Sequence, residues 1–409
     1  MRILWVKTEL LHPVDKGGRI RSYQMLRCLL KDHDIVYVCL DDGLSSAEAH
    51  KKAREYCSEL VTVPFRPARK SSAAYAFDLL RNLISKQPYA VSRYRSDLQR
   101  RRVIELSRHA DLLVCDFLAP SLNVSREIDI KTVLFEHNVE AMIWQRRAAV
   151  ASGALRRAYL RQQWRRMQRL EGQQCRRFDG VITVSDADAD IIRTQYGVRA
   201  VTSIPTGVDV DYFTPRMPSA HTTPELLFVG SMDWQPNEDG IRWFAESVFH
   251  LIRARIPDVS LSIVGRAPSK ALLALAKRSS GIRVTGAVPD VRPYLQRAAV
   301  SIVPLRIGGG TRIKIYEAMA VGVPVVSTTI GAEGLPLVSE QHLVIADEPE
   351  PMAAAIMNLL LDQPSAHRLA ANAQRFVQDH CSWQAVTNEF LSQCQGSRTT
   401  KGHVESAIA

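Results

Sequence analysis

Short apolar runs recur along this chain of 409 residues, separated by stretches whose apolar positions fall at helical spacing. In the first half, the runs at 2–7, 35–40, 60–64, 111–115, 132–135 and 180–184 are each short enough to predict a buried strand. The second half repeats the pattern at 226–229, 260–264, 283–285, 300–303, 323–327 and 342–345. Between the first two runs, Ile20, Tyr23, Leu26, Leu29 and Leu30 mark one face of a helix over 19–30. A longer helix over 153–178 sets Leu160, Trp164, Met167 and Leu170 near one face, which predicts docking on a sheet with the arginines outward. Residues 359–391 also read as helical. Alternation of this kind predicts an α/β fold built on doubly wound parallel sheets. Proline, glycine and short acids at 204–215 (IPTGVDVDYFTP) interrupt it. The expected organisation is therefore a domain at 1–205, a linker at 206–221, a second domain at 222–380 and a disordered tail at 396–409.

The stretch 308–335, GGGTRIKIYEAMAVGVPVVSTTIGAEGL, stands out. Three glycines and a threonine follow a predicted strand and open a helix carrying Arg312, Lys314 and Glu317, which stops at Gly322 with Pro324 beyond. Gly309 and Gly310 let backbone N–H groups approach a ligand, and Thr311 leads into a helix start whose free N–H groups and dipole favour an anion. Arg312 and Lys314 add full charge, and the planar arginine fork suits phosphate oxygens. Glu317 cannot bind phosphate but can accept from sugar hydroxyls. Phosphate with hydroxyls means a nucleotide or a sugar phosphate; a tight turn before an ordinary core helix is the other reading of the same residues.

A second glycine pair, Gly17 and Gly18, sits after the first predicted strand and lacks the G-x-G-x-x-G of dinucleotide enzymes. Ligands of doubly wound sheets lie at the carboxyl ends of strands, which directs attention to Asp116 and to Glu136-His137-Asn138. His137 is the stronger candidate, and Asp116 has the alternative of capping the next helix. The acids of SDADAD at 185–190 mimic a metal-binding D-x-D, but Ser185 and Asp188 fit an N-cap pair.

Composition narrows the classes. Apolar content of 46% and charged content of 23% are those of a soluble globular protein. No apolar run reaches the ~18 residues of a membrane span. The start, MRILWVK, is too short for a signal-peptide core. Seven scattered cysteines without a C-x-x-C pair predict reduced thiols in the cytoplasm, and neither a disulfide framework nor a zinc site. The net charge of +11 is concentrated at 146–177, where ten arginines face one acid, Glu171. That face reads either as a solvated helix surface or as a site for an anionic membrane surface or acidic acceptor. Nucleic acid is disfavoured because no binding motif or aromatic interleaving accompanies the charge.

The segment from Glu317 to Glu333 resembles the donor-site motif of retaining GT-B glycosyltransferases of family 4, E-A-M-A-x-G-x-P-V-V-(S/A)-T-x-x-G. Further similarity runs from Gly17 to Trp383: K-G-G-R after the first strand, F-E-H-N-V-E, T-G-V-D-x-x-x-F, and F-V-G-S around Gly230. The resemblance implies two Rossmann-like domains facing across a cleft, with a last helix at about 382–395 crossing back to the first. It implies an acceptor domain first and a nucleotide-sugar donor domain second, needing no metal and no cofactor. It implies that Glu317 binds ribose, that Gly17 and Gly18 approach the donor diphosphate, that His137 lies by the sugar, and that GAVPD at 286–290 meets the base. Two departures matter. Gly309 stands where the usual motif has a glutamate eight residues before Glu317, and Met232 and Pro236, or neighbours, stand where other branches carry an arginine and a lysine. The charge duty then passes to Arg312 and Lys314. The expected function is transfer of a sugar to a saccharide or lipid-linked acceptor in surface polysaccharide or glycolipid synthesis, in the cytoplasm or at the inner face of the plasma membrane. A non-catalytic sugar-nucleotide-binding protein and an epimerase of the same architecture are the alternatives.

Overall fold

The computed structural model describes residues 1–14, 17–66, 72–149, 151, 153–215, 224–307 and 312–396. The predicted runs form strands there, and every strand pairing is parallel. The chain divides into two units, Met1–Ile204 with the residues from Thr387 onward, and Pro205–Val386.

The first unit holds β1 (Arg2–Val6), β2 (Asp34–Asp41), β3 (Glu59–Pro64), β4 (Leu112–Asp116), β5 (Lys131–Phe135), β6 (Gly180–Thr183) and β7 (Val201–Ser203). They lie in the order β3-β2-β1-β4-β5-β6-β7. Ile3, Leu4, Trp5 and Val6 are fully buried, because a central parallel strand is covered on both faces. Burial of such side chains stabilises the fold by roughly 1.5–3 kcal/mol each. The second unit holds β8 (Glu225–Val229), β9 (Ser260–Val264), β10 (Ile282–Gly286), β11 (Val300–Val303), β12 (Val325–Ser327) and β13 (Val344–Ile345), in the order β10-β9-β8-β11-β12-β13. In each sheet the chain builds outward one way and then the other. The reversal falls between β1 and β4 in the first unit and between β8 and β11 in the second. Loops leaving the carboxyl ends there part and open a crevice.

Several elements differ from expectation. The first helix is Gly17–Leu29, so Gly17 and Gly18 form its opening turn and are not a loop before it. The arginine-rich helix is Ala154–Cys175, and Met167 and Leu170 join the core around Leu4 and Leu113 as expected. Arg166 breaks the outward pattern: it is buried and donates to Asn82 O at 2.6 Å and Leu83 O at 2.6 Å. It thereby ties down carbonyls at the end of helix Ala73–Leu83, where Ser85 N also donates to Asn82 O at 3.1 Å and Gln162 Nε2 to Leu83 O at 3.4 Å. The helical stretch predicted at 359–391 is three helices, Pro349–Leu361, Gln363–Phe376 and Trp383–Gln395, with a wide turn at Val377–Cys381. Asp362 breaks the first by accepting from Ser365 N at 3.2 Å, with Pro364 unable to donate in the new first turn. Ser185 accepts from Asp188 N at 3.2 Å, the cap expected in place of a metal ligand. The tail at 397–409 and linker residues 216–221 lie outside the described residues. Among the described residues no helix is long and apolar enough to cross a membrane.

Candidate functional site

At the reversal of the first sheet, Lys7 follows β1, β4 ends at Asp116, and His137 lies just beyond β5. The helix Gly17–Leu29 brings Gly18, Arg21 and Ser22 to the same place. Asp116 does not cap a helix. Its Oδ2 accepts from Trp5 Nε1 at 2.8 Å, Lys7 Nζ at 2.7 Å and Ser22 Oγ at 2.6 Å. With Lys7 2% and Asp116 0% exposed, this is a buried ion pair, and Lys7 holds the Asp116 carboxyl well below the usual carboxylate range. Asp116 Oδ1 lies 2.9 Å from His137 Nε2, too obliquely for a well-formed hydrogen bond. Arg21 Nη1 approaches His137 Nδ1 at 3.3 Å, and a guanidinium can only donate. Nδ1 must therefore be the acceptor, and the proton sits on Nε2. Burial agrees, pushing the imidazole down to about 3 against the pull of Asp116. The ring stacks on Phe117 at 3.9 Å, and the same Phe117 ring leaves no room for a Cβ on Gly18, which would lie 2.6 Å from its Cζ. At Gly17 a Cβ would meet nothing. His137 is thus a fixed neutral ring, its Nδ1 taken by Arg21 and its Nε2 beside Asp116 without a well-formed hydrogen bond.

Two acids named in the sequence without a role are buried here. Glu136 is buried, and neither carboxylate oxygen has a partner among the described residues; burial and the nearby Glu171 push it well above the usual range. Glu171, one acid among ten arginines, is buried too, and accepts from Glu140 N at 2.6 Å, Ala141 N at 3.2 Å and Tyr196 Oη at 2.6 Å. It caps the helix Glu140–Ala149.

The reversal of the second sheet gathers the cations. The helix Ile313–Val321 ends at Gly322, whose φ of 82° is the left-handed cap predicted. Gly309, Gly310 and Thr311 lie outside the described residues. Lys314 reaches the loop after β8: its Nζ donates to Asn237 Oδ1 at 2.8 Å, and Asn237 Nδ2 donates to Ser231 O at 2.8 Å. A Cβ on Gly230 would lie 2.7 Å from both Asn237 Nδ2 and Lys314 Nζ, so the glycine makes this approach feasible. Arg312 is buried, donates to Ile330 O at 3.2 Å, and lies over the Trp234 ring at 5.7 Å. Two cations from the motif helix therefore meet the loop that lacks its own. Burial lowers Lys314 to about 7 despite Glu317, and burial raises Glu317 to about 7 despite Lys314. The Glu317 carboxylate accepts no hydrogen bond from the described residues, which leaves it an open acceptor.

Three residues of this site were not anticipated. Asn237 positions Lys314. Gly265 stands where a Cβ would collide with the carbonyl oxygen of Gly230. Arg266 donates to Ser231 Oγ at 2.6 Å and pairs with Asp233 at 3.1 Å. The signal for the last two was Gly-Arg directly after the β9 run, at a carboxyl strand end. In the turn at 286–290, Asp290 pairs with Arg292 at 2.7 Å, and Arg292 lies over Tyr212 at 3.9 Å.

Residues 16–212 match the family described as Glycosyltransferase Family 4, and residues 223–362 match Glycosyl transferases group 1. An uncharacterised 44.6 kDa protein in the cps region of Klebsiella pneumoniae is 21% identical over 402 residues, 96% of this chain and 99% of that one. The MMP alpha-(1->4)-mannosyltransferase of Mycolicibacterium hassiacum is 27% identical over 260 residues, 60% of this chain and 61% of that one. The O-antigen chain mannosyltransferase B of Escherichia coli is 28% identical over 228 residues, 50% and 59% respectively. Among solved structures, Anabaena HepE in complex with UDP superposes with a TM-score of 0.67 at 15% identity, over 96% of this chain and 99% of that one. The glycosyltransferase WaaG, involved in lipopolysaccharide biosynthesis, gives 0.60 at 15%, over 97% and 100%. Two Rossmann-like units with parallel sheets of seven and six strands are the GT-B fold. The chain belongs to glycosyltransferase family 4 and is a glycosyltransferase.

Proposed function

We propose that the enzyme takes its sugar from a nucleoside diphosphate sugar and retains the anomeric configuration. The second unit binds the donor: Arg312, Lys314 and the backbone of Gly309, Gly310 and Thr311 meet the diphosphate, with Gly230 keeping the loop after β8 close to it. Charge growing on the leaving diphosphate falls on these cations. Glu317 accepts from the ribose hydroxyls. In the first unit, Gly17 and Gly18 open a helix whose free N–H groups also suit the diphosphate, and the His137 carbonyl orients the sugar and faces charge developing at its anomeric carbon. The observation that carries this reading is the Lys314–Asn237–Ser231 chain at the reversal of the second sheet, with Glu317, which has no hydrogen-bond partner among the described residues, three residues on. Retention is supported by the motif Glu317 to Glu333. The acceptor is a saccharide or a lipid-linked saccharide, and the names of the relatives, two mannosyltransferases and a cps-region protein, support hexosyl transfer in surface polysaccharide synthesis. The work is done in the cytoplasm, with the arginines of 146–177 offered to the anionic inner face of the membrane.

Nucleoside diphosphates and their sugars, screened by thermal shift, identify the base and sugar. With the donor so found, Glu317→Ala removes charged hydrogen bonds of about 1.5–3 kcal/mol each, raising KM or lowering kcat/KM by roughly tenfold to a hundredfold. An unchanged kcat/KM would remove the ribose role, and a product of inverted configuration by NMR would remove retention.

A further inference from the structure

We propose that the first unit binds a lipid phosphate or diphosphate, its chain in an apolar groove and its anionic head at Arg93. This rests on the reading above in which the acceptor is lipid-linked. The groove has a volume of about 770 Å³ and is lined by Tyr75, Leu79 and Leu83 of helix Ala73–Leu83, Trp144 of helix Glu140–Ala149, and Tyr159 and Leu160 of the arginine-rich helix. A second cavity of about 470 Å³ lies at the carboxyl ends of β1, β2 and β4, and unlike the groove it brings acids and a lysine, Glu9, Asp42, Glu140 and Lys7, among its apolar lining. The two share Ala90, Arg93 and Tyr94. One face of the helix Glu140–Ala149 serves both, Glu140 in the polar cavity and Trp144 and Arg147 in the groove.

Arg93, at the junction, has no ion pair among the described residues, and its buried Nε has no acceptor there. Its guanidinium lies 5.9 Å from the Tyr89 ring and 5.3 Å from the Tyr94 ring, which holds the cation in place without neutralising it. Arg147 and Arg156 add positive charge to the groove, and no acid lines it among the described residues. The outer side of helix Ala73–Leu83 continues the apolar character: Phe77 and Leu80 are 64% exposed, and Ile84 just beyond is 88% exposed. A free saccharide would have no use for leucines, and a bare anion none for the groove. A lipid-linked sugar phosphate uses all three parts: chain in the groove, phosphate at Arg93, sugar in the polar cavity next to Lys7 and Phe117.

The test is calorimetry on the full chain with farnesyl diphosphate as probe, against inorganic diphosphate and farnesol. Farnesyl diphosphate should bind at least about tenfold more tightly than either fragment. Arg93→Gln and, separately, Leu79→Asp should each weaken it by about tenfold or more while leaving nucleoside diphosphate affinity unchanged. Circular dichroism melting checks that both variants fold; Leu79→Ala, a milder truncation, replaces Leu79→Asp if that one does not. Equal binding of inorganic diphosphate, undiminished binding by both variants, or binding that appears only on anionic vesicles and ignores Leu79 would each overturn the proposal. If farnesyl diphosphate fails to bind while nucleoside diphosphate does, the lipid site falls and the donor reading stands. If nucleoside diphosphates fail to bind, it is the donor reading that falls.

Discussion

The two sheet reversals solve opposite problems with similar parts. In the first unit, Lys7 and Asp116 neutralise each other in the dry interior, Ser22 and Trp5 complete the carboxylate's partners, and His137 is held neutral between Asp116 and Arg21. In the second, Lys314 has only the neutral Asn237 as hydrogen-bond partner, and Glu317 is left without one among the described residues. In the first, opposite charges are joined by hydrogen bonds at Asp116 Oδ2; in the second, the cation's hydrogen bond goes to a neutral amide. A buried ion pair joined by hydrogen bonds holds its surroundings in place, whereas a cation hydrogen-bonded only to a neutral amide in a poorly solvated place gains most when an anion arrives.

The largest effect expected from breaking that contrast is on stability. Asp116→Asn leaves Lys7 buried without its counter-charge and should cost about 3–5 kcal/mol, on the order of 10 °C in the melting of the first unit. Glu317→Gln, by contrast, should leave melting unchanged or raised near pH 7, because it removes a carboxyl that burial already disfavours. Equal losses in both variants would erase the distinction between the two networks.

A mid-sized effect separates the two neighbouring glycines. Gly18→Ala drives a Cβ into the Phe117 ring that stacks on His137, and should destabilise by roughly 1–3 kcal/mol. Gly17→Ala meets open space and should be neutral or stabilising by up to about 1 kcal/mol, since alanine is the better helix former. Denaturant melts of the two variants decide the matter, and similar values would mean that Phe117 yields freely.

The smallest effect is the sharpest probe of reserved charge. Lys314, lowered to about 7, is largely neutral at pH 8, and a bound diphosphate should raise it, so that binding takes up protons. Calorimetry at pH 8 in buffers of different ionisation enthalpy should register uptake of a fraction of a proton in the wild type and less in Lys314→Met. No buffer dependence would mean that Lys314 does not meet the phosphate. The pH dependence of stability carries opposite signs for His137 and Glu317. His137 is lowered to about 3, so the unfolded chain gains its proton first, and that stability is lost as pH falls from about 6.5 toward 3. Glu317 is raised to about 7, so its contribution is present at low pH and is lost as pH rises from about 4.5 through 7.

Much of this was legible in the chain itself. Short apolar runs must become strands when both faces of a parallel sheet are covered, and their alternation with helical spacing fixed two doubly wound units. The glycine at 322 announced the end of its helix and Ser185 an N-cap, because each depends on residues close in sequence. What depended on distant residues was not legible. Asp116 reads from the sequence as either a strand-end site residue or a helix cap, because a carboxylate there is claimed by whichever donors the sheet order sets beside it, and only the adjacency of β1 and β4 put Lys7 and Trp5 there. Arg166 counted as one more outward cation, but the fold sets it against the carbonyls of Asn82 and Leu83, 84 and 83 residues earlier. Asn237 gave no signal of its own. Its role appeared once the fold had carried Lys314 across to the loop after β8, since hydrogen bonds are made to what is near in space, and pattern in the chain records only what is near in sequence.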